Sequence, residues 1–144
     1  MITHEQAAFL QRARVGRLAT VDERGRPHNV PVCYALHDGR LYIAIDEKPK
    51  RADPADLRRV RNIRANPAVC LVVDEYDDAD WSGLAWLQVR GRAELVEDAD
   101  EHHGAIAALR GRYRQYRTMA LEERPLLRIT PERLVTWAAR PADR

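Results

Sequence analysis

Lysine is nearly missing from this sequence: Lys48 and Lys50, two residues apart, stand against 22 arginines. Cysteine is equally scarce. Cys33 and Cys70 lie far apart, each inside an apolar run, as buried structural thiols do, which argues against a disulfide framework or a metal knuckle. No stretch approaches the roughly 20 apolar residues that cross a bilayer. The segment Met1 to Gln6 has no basic run followed by an apolar one, so no secretory signal is expected and a cytoplasmic address is. Also missing are a Gly-x-Ser-x-Gly elbow, a His-Glu-x-x-His pair, a Cys-x-x-Cys pair and the glycine-rich phosphate loop of doubly wound folds. Hydrolytic and metal-dependent chemistries thereby lose their usual support. A chain without its own nucleophile or metal can still work by holding an organic cofactor that carries the reaction.

What is present suits one globular domain spanning residues 1–144, with 45% hydrophobic and 32% charged residues. The 24 basic and 22 acidic residues nearly balance. A nucleic-acid partner, which would call for a strong basic footprint, is therefore not expected.

Thr3 followed by Gln6 fits a capping box and opens a helix over 4–14. Residues 17–21 read as a strand closed by the turn chemistry of 22–27. A second strand, 29–36, meets the Asp38-Gly39 hairpin signal before a third over 40–46. Residues 47–54 form a polar loop with two prolines, and 55–66 carries Leu57, Val60 and Ile63 at helical spacing. Asn66-Pro67 ends that helix. Residues 68–73 are a short apolar strand, 74–80 an acidic connection, and 86–96 a long strand with Gly91 as a bulge or close-approach point. A third helix is expected from Asp98 to about Tyr116. The tail, 126–137, reads as two strand segments around a Pro-Glu corner. Early hairpins with helices inserted between strands predict a mainly-β α+β fold: a six-stranded antiparallel sheet curled into a split β-barrel with flanking helices.

The chemistry-bearing segment is basic. Lys48, Lys50 and Arg51 lie in a loop that feeds a helix carrying Arg58, Arg59, Arg61, Asn62 and Arg64. Arg58, Arg61 and Asn62 share a helix face and can converge on one phosphate or carboxylate, with Arg59 one step around. The competing reading is a solvated helix face beside the acidic stretch 74–80. The five histidines offer less. His102 and His103 point about 100° apart on a helix and cannot share a metal. His4 and His37 are expected in solvent, and His28, at a strand start, reads on its own as a half-buried strand residue.

Gly16-Arg17-Leu18-Ala19-Thr20-Val21, Gly25 to Val32, Gly39-Arg40-Leu41-Tyr42-Ile43, Arg59 to Val69 with its Asn66-Pro67 exit, and Val89-Arg90-Gly91-Arg92-Ala93-Glu94 occur in an order that resembles the pyridoxamine 5′-phosphate oxidase-like split-barrel superfamily. Within it, the short length, the Lys48-Pro49-Lys50 loop and the stretch Asp80 to Trp86 are most similar to actinobacterial deazaflavin-dependent reductases. The resemblance implies a homodimer with two cofactor sites at the subunit interface. It places the ring of coenzyme F-420, or alternatively FMN, along His28, Val30, Pro31 and Val32. It assigns Lys50, Arg59, Arg61 and Asn62, and less directly Lys48 and Arg58, to the phosphate or tail. Trp81 or Trp86 would wall the substrate side, although Trp86 suits a core or interface aromatic equally. The implied activity is hydride transfer between the reduced deazaflavin and a small electron-poor molecule. An FMN enzyme or a non-catalytic cofactor carrier of the same fold stays open. Tyr34 and Tyr42 are available proton donors, and nothing in the sequence selects either.

Overall fold

A computed structural model of the chain describes residues 1–45 and 58–140. Seven strands, β1 (Gly16–Val21), β2 (Pro27–Val32), β3 (Ala35–His37), β4 (Arg40–Ala44), β5 (Ala68–Glu75), β6 (Ala85–Leu95) and β7 (Leu126–Ala138), form one sheet. All pairings are antiparallel, in the order β2-β1-β5-β6-β7-β4-β3. Three helices accompany it: α1 (His4–Arg12), α2 (Arg58–Ala65) and α3 (Ala99–Arg112).

The mainly-β class stands, but the strands number seven rather than six. The expected strand 29–36 breaks at Cys33-Tyr34, so its two halves become β2 and β3. The tail is one continuous strand and not two segments around a corner. The Pro-Glu irregularity is absorbed as a bulge, where Arg90 faces Arg133 but Gly91 faces Pro131. α3 stops at Arg112, short of the expected Tyr116, because Tyr113 leaves helical geometry (φ −119°) and sends its hydroxyl to the backbone of Tyr34. The Thr3/Gln6 capping box is present. Asp38 and Gly39 take φ of 51° and 75°, the left-handed pair that a tight two-residue hairpin demands. The expected loop 47–54 and the first turn of the expected helix 55–66 lie outside the described residues.

The strand order dictates the curl. β2 and β3 are the two edges, yet only Cys33 and Tyr34 separate them in sequence. Three Cα steps reach at most about 11 Å. Seven strands laid flat at the usual spacing would hold their edges roughly 29 Å apart. The sheet must therefore roll until its edges nearly meet, leaving a seam between β2 and the β3–β4 pair.

Inside the roll, Leu18, Leu41, Ile43, Leu71, Leu87, Val89, Leu127 and Ile129 form one apolar cluster, plugged by Leu10 of α1 and by Val60 and Ile63 of α2. Burial of such side chains contributes about 1.5–3 kcal/mol each and fixes α2 against the sheet. β4 is buried on both faces, because α3 covers its outer side through Ala105, Ile106 and Leu109. A polar network pins that layer. Tyr42 donates to Glu101 at 2.8 Å, and Arg128 donates to both Glu101 oxygens at 2.8 and 2.9 Å.

Two consequences are measurable. A Cβ on Gly91 would lie 2.3 Å from the Thr130 carbonyl oxygen. Gly91→Ala is thus expected to cost about 1–3 kcal/mol or more, read as a fall in Tm, as overpacked positions do. The Arg128 guanidinium, with Tyr42, holds the Glu101 carboxyl below its ordinary value of 4.5. A depressed carboxylate stabilises the fold fully above its unfolded pKa and loses that contribution as pH falls through the folded one. Glu101→Gln should therefore lower stability by about 1.5–3 kcal/mol at neutral pH, and the deficit should shrink as Tm is measured at successively lower pH below about 4.5.

Candidate functional site

α2 is the hub of two clefts. The first, about 210 Å³, opens at the seam: Pro31, Val32 and Cys33 come from one edge, Ile43 and Ala44 from the other, and Arg59 and Tyr116 close it. β3 pairs with β4 only up to Tyr42, while Ile43 and Ala44 continue along β7. On their seam side these two residues offer backbone groups that no described strand pairs, facing the free edge of β2. Such edges accept a flat ligand whose rim alternates donors and acceptors.

The second cleft, about 200 Å³, lies between α2 and the β1–β2 turn, lined by Arg58, Arg61, Asn62, Asp22, Arg24 and Arg26. The helix period explains the division: Arg58, Arg61 and Asn62 fall within one arc, and Arg59 sits roughly 100° away from it. Asn62 is only 3% exposed, and its amide donates to Thr20 Oγ1 at 3.0 Å. It anchors α2 to β1 and at the same time forms the floor of the cleft.

Asp22, 7% exposed, was not marked by sequence reasoning, although the Asp-x-x-Gly turn pattern that holds it was visible. It accepts from the backbone N–H groups of Arg24 and Arg26 at 2.9 Å each and from Arg26 Nε at 2.8 Å. The Arg26 backbone N–H is the largest cause of a carboxyl pKa far below the usual range, against the opposing effect of burial. His28 Nε2 lies 3.5 Å from Asp22 Oδ2, at the limit of a hydrogen bond, and becomes its ion-pair partner only when protonated.

Of the ring-side residues, Pro31 and Val32 line the seam cleft. Val30 instead packs against the inner core, and His28 belongs to the Asp22 turn. Arg59 joins the seam cleft, and Arg58, Arg61 and Asn62 the basic one. Lys48 and Lys50 lie outside the described residues. The tryptophans line neither cleft. Trp81 is 63% exposed in a short 3-10 turn, and Trp86 is the cross-strand partner of Trp137 on the outer face of the sheet. Neither tyrosine is free to donate a proton there. Tyr34, pushed up to about 12 by burial, bonds the carbonyls of Leu10 and Ala13, and Tyr42 bonds Glu101. Both cysteines are half-buried rather than buried and neither is in a disulfide, with Cys33 at the seam and Cys70 on the outer face. Tyr116, 4% exposed, is a seam residue that periodicity did not single out, because it follows the end of α3.

A larger groove of about 680 Å³ runs along α3 past His102, His103 and Arg110. Three of its polar groups are committed to structure: His102 Nε2 lies 2.9 Å from the Arg124 carbonyl, and Arg110 pairs with Glu122 at 2.6 Å. No group of three or more His, Cys, Asp or Glu among the described residues could hold a metal, and no described helix is long and apolar enough to cross a membrane.

Residues 2–138 match the family model described as pyridoxamine 5′-phosphate oxidase. The 5a,11a-dehydrotetracycline/5a,11a-dehydrooxytetracycline reductase of Streptomyces rimosus is 33% identical over 135 residues, covering 94% of this chain and 82% of that protein. A conserved hypothetical protein of Mycobacterium tuberculosis has a crystal structure that superposes with a TM-score of 0.79 at 26% identity, over 97% of this chain and 86% of that one. A FAD-binding protein of Mesorhizobium loti superposes with a TM-score of 0.68 at 28% identity, over 93% of each chain. The motif order, the rolled sheet with its seam and these matches agree: the chain belongs to the pyridoxamine 5′-phosphate oxidase family of oxidoreductases.

Proposed function

We propose that this protein is a coenzyme F-420-dependent reductase that works as a homodimer and transfers hydride between the reduced deazaflavin and a small electron-poor organic molecule. The observation that carries this reading is the seam cleft, where two strand edges that no described strand pairs converge with Arg59. A deazaflavin presents a flat ring with an amide rim and an anionic tail. Ile43 and Ala44 offer unpaired backbone to the rim, and the guanidiniums on α2 offer charge to the tail, so the residues fit the group.

When bound, the deazaflavin supplies a hydride from ring carbon 5. The protein's part is alignment and exclusion of water. Pro31 and Val32 give a rigid apolar floor and Tyr116 a buried aromatic wall. Alignment of this kind is worth about 7–11 kcal/mol of barrier at most. The similarity to a reductase of dehydrotetracyclines supports a conjugated carbon–carbon double bond as the acceptor. An FMN or FAD enzyme is the second reading, favoured by the likeness to the FAD-binding relative. Arg59 at the seam and the separate basic cleft on the same helix together exceed what a single phosphomonoester needs, which supports the longer tail.

Dimerisation is supported by two features. The seam cleft of one chain, about 210 Å³, falls short of the roughly 300 Å³ at which ligand pockets begin. The outer face of the sheet also leaves Val21, Val72, Trp86, Val135 and Trp137 half-buried or exposed on adjacent strands, with Trp137 47% exposed. A second copy on that face would cover it.

In a fluorescence titration the protein should bind coenzyme F-420 in preference to FMN, and Arg59→Glu should weaken that binding at least about tenfold, the loss of one charge-assisted contact. Its Tm should stay within a few degrees; a chain that arrives yellow with FMN and ignores the deazaflavin would favour the second reading. Trp137→Glu should turn a dimer into a monomer by sedimentation, with cofactor affinity falling alongside. A wild-type chain that sediments as a monomer contradicts the shared site.

A further inference from the structure

The residue that leads one seam edge into the other is held by a side chain from a distant element. Tyr34 is 1% exposed and lies between β2 and β3, where no described strand pairs its backbone. A buried N–H and C=O must still find partners. Both meet one hydroxyl: Tyr113 Oη accepts from the Tyr34 N–H at 3.1 Å and lies 3.0 Å from the Tyr34 carbonyl oxygen. Its proton is shared between that carbonyl and the carbonyl of Arg14, also at 3.0 Å, while Arg112 Nε donates to it at 3.0 Å.

Arg112 fixes this clamp from behind. Its guanidinium donates to the carbonyls of Gln11 at 2.8 Å, Leu10 at 3.2 Å and Ala13. These lie at the end of α1, where helix carbonyls lack partners within the helix and a cation is favoured. The same guanidinium lies over the rings of Tyr34 and Tyr113, 4.9 and 5.2 Å from their centroids. The Tyr113 ring in turn meets Tyr116 edge-on, with centroids 5.5 Å apart. Tyr113 therefore touches both the crossover that follows Cys33 and the aromatic wall of the seam cleft, yet it does not line that cleft itself. Arg112 and its carbonyls already tie α1 to α3; the Tyr113 hydroxyl adds a hold on the crossover.

We propose that Tyr113 is a positioning residue for the seam: through Tyr34 and Tyr116 it sets the gap between β2 and the β3–β4 pair, and with it the fit of the cofactor ring. The inference rests on the seam-cleft reading of the function and adds to it a support outside the cleft. Pro31, Val32 and Cys33 run directly into Tyr34, so a shift of Tyr34 moves them against Ile43 and Ala44. A site whose supporting groups are loosened loses its fit although every lining residue is still present.

Tyr113→Phe keeps the ring against Tyr116 and Arg112 and removes only the hydroxyl. Two quantities are measured in a Cys70→Ser background, where Cys33 is the sole thiol: the rate of Cys33 alkylation by iodoacetamide without ligand, and the affinity for coenzyme F-420 by fluorescence titration. Gly91→Ala, which is expected to lower Tm from a position outside the seam cleft, is the control. Tyr113→Phe should speed the alkylation and weaken coenzyme binding by about fivefold or more each, the scale of one hydrogen bond lost at buried groups. Gly91→Ala should leave both within about twofold, as remote sites do. Equal changes in the two variants, a change in only one of the two quantities, or none in either overturns the proposal. Should Tyr113→Phe not fold, Arg112→Lys, which gives up the Nε donation to the hydroxyl, takes its place with the same outcomes. A wild-type chain that binds no deazaflavin overturns the functional reading instead. FMN then replaces the deazaflavin in the titration, and if neither binds, the alkylation comparison alone decides whether Tyr113 sets the gap.

Discussion

Everything functional in this molecule follows from a length constraint. Two residues, Cys33 and Tyr34, join the opposite edges of a seven-stranded sheet. The roll this enforces is stabilised by leucines, isoleucines and valines from β1, β4, β5, β6 and β7 that meet at its centre. A fully closed barrel would have paired its edges and hidden its backbone. Here closure stops short among the described residues, and the seam keeps strand edges that no described strand pairs beside a buried core. That combination of rigid floor and unsatisfied rim is what a flat heterocycle requires.

α2 converts the seam into a charged site. The helix is short and strongly basic, and isolated it would be marginal. Val60 and Ile63 buried in the roll, with Asn62 bonded to Thr20, fix its rotation. Because the apolar face is pinned, the arginines have no choice of direction. Arg59 turns to the seam, and Arg58 and Arg61 turn to the Asp22 turn. The packing of three buried residues thus sorts the cations between two clefts.

Much of this was legible in the sequence, for identifiable reasons. The capping box, the Asp38-Gly39 hairpin and the Gly91 irregularity are local signals with steric causes, and each sits where the sequence put it. The convergence of Arg58, Arg61 and Asn62 followed from helical spacing, which survives folding. Non-local outcomes were harder to read. The break at Cys33-Tyr34 has no glycine or proline to announce it, since it arises from edge closure. His28 and Val30 alternate with Pro31 along β2, but which face meets the core depends on pairing with β1. Tyr34 and Tyr42 looked available for proton transfer until the long-range partners of their hydroxyls, Leu10, Ala13 and Glu101, were in place. Asp22 was a plain turn residue in sequence and became a buried carboxylate only once the arginines of its own turn folded back on it.

The central claim is that the seam between β2 and β4 receives the cofactor ring. A crystal structure of the protein grown with reduced or oxidised coenzyme F-420 tests it directly. The account predicts the ring lying against Pro31 and Val32, its amide rim on the backbone of Ile43 and Ala44, with Arg59 on the first anionic group. A ring bound in the groove along α3, or on the outer face of the sheet away from the seam, would contradict it.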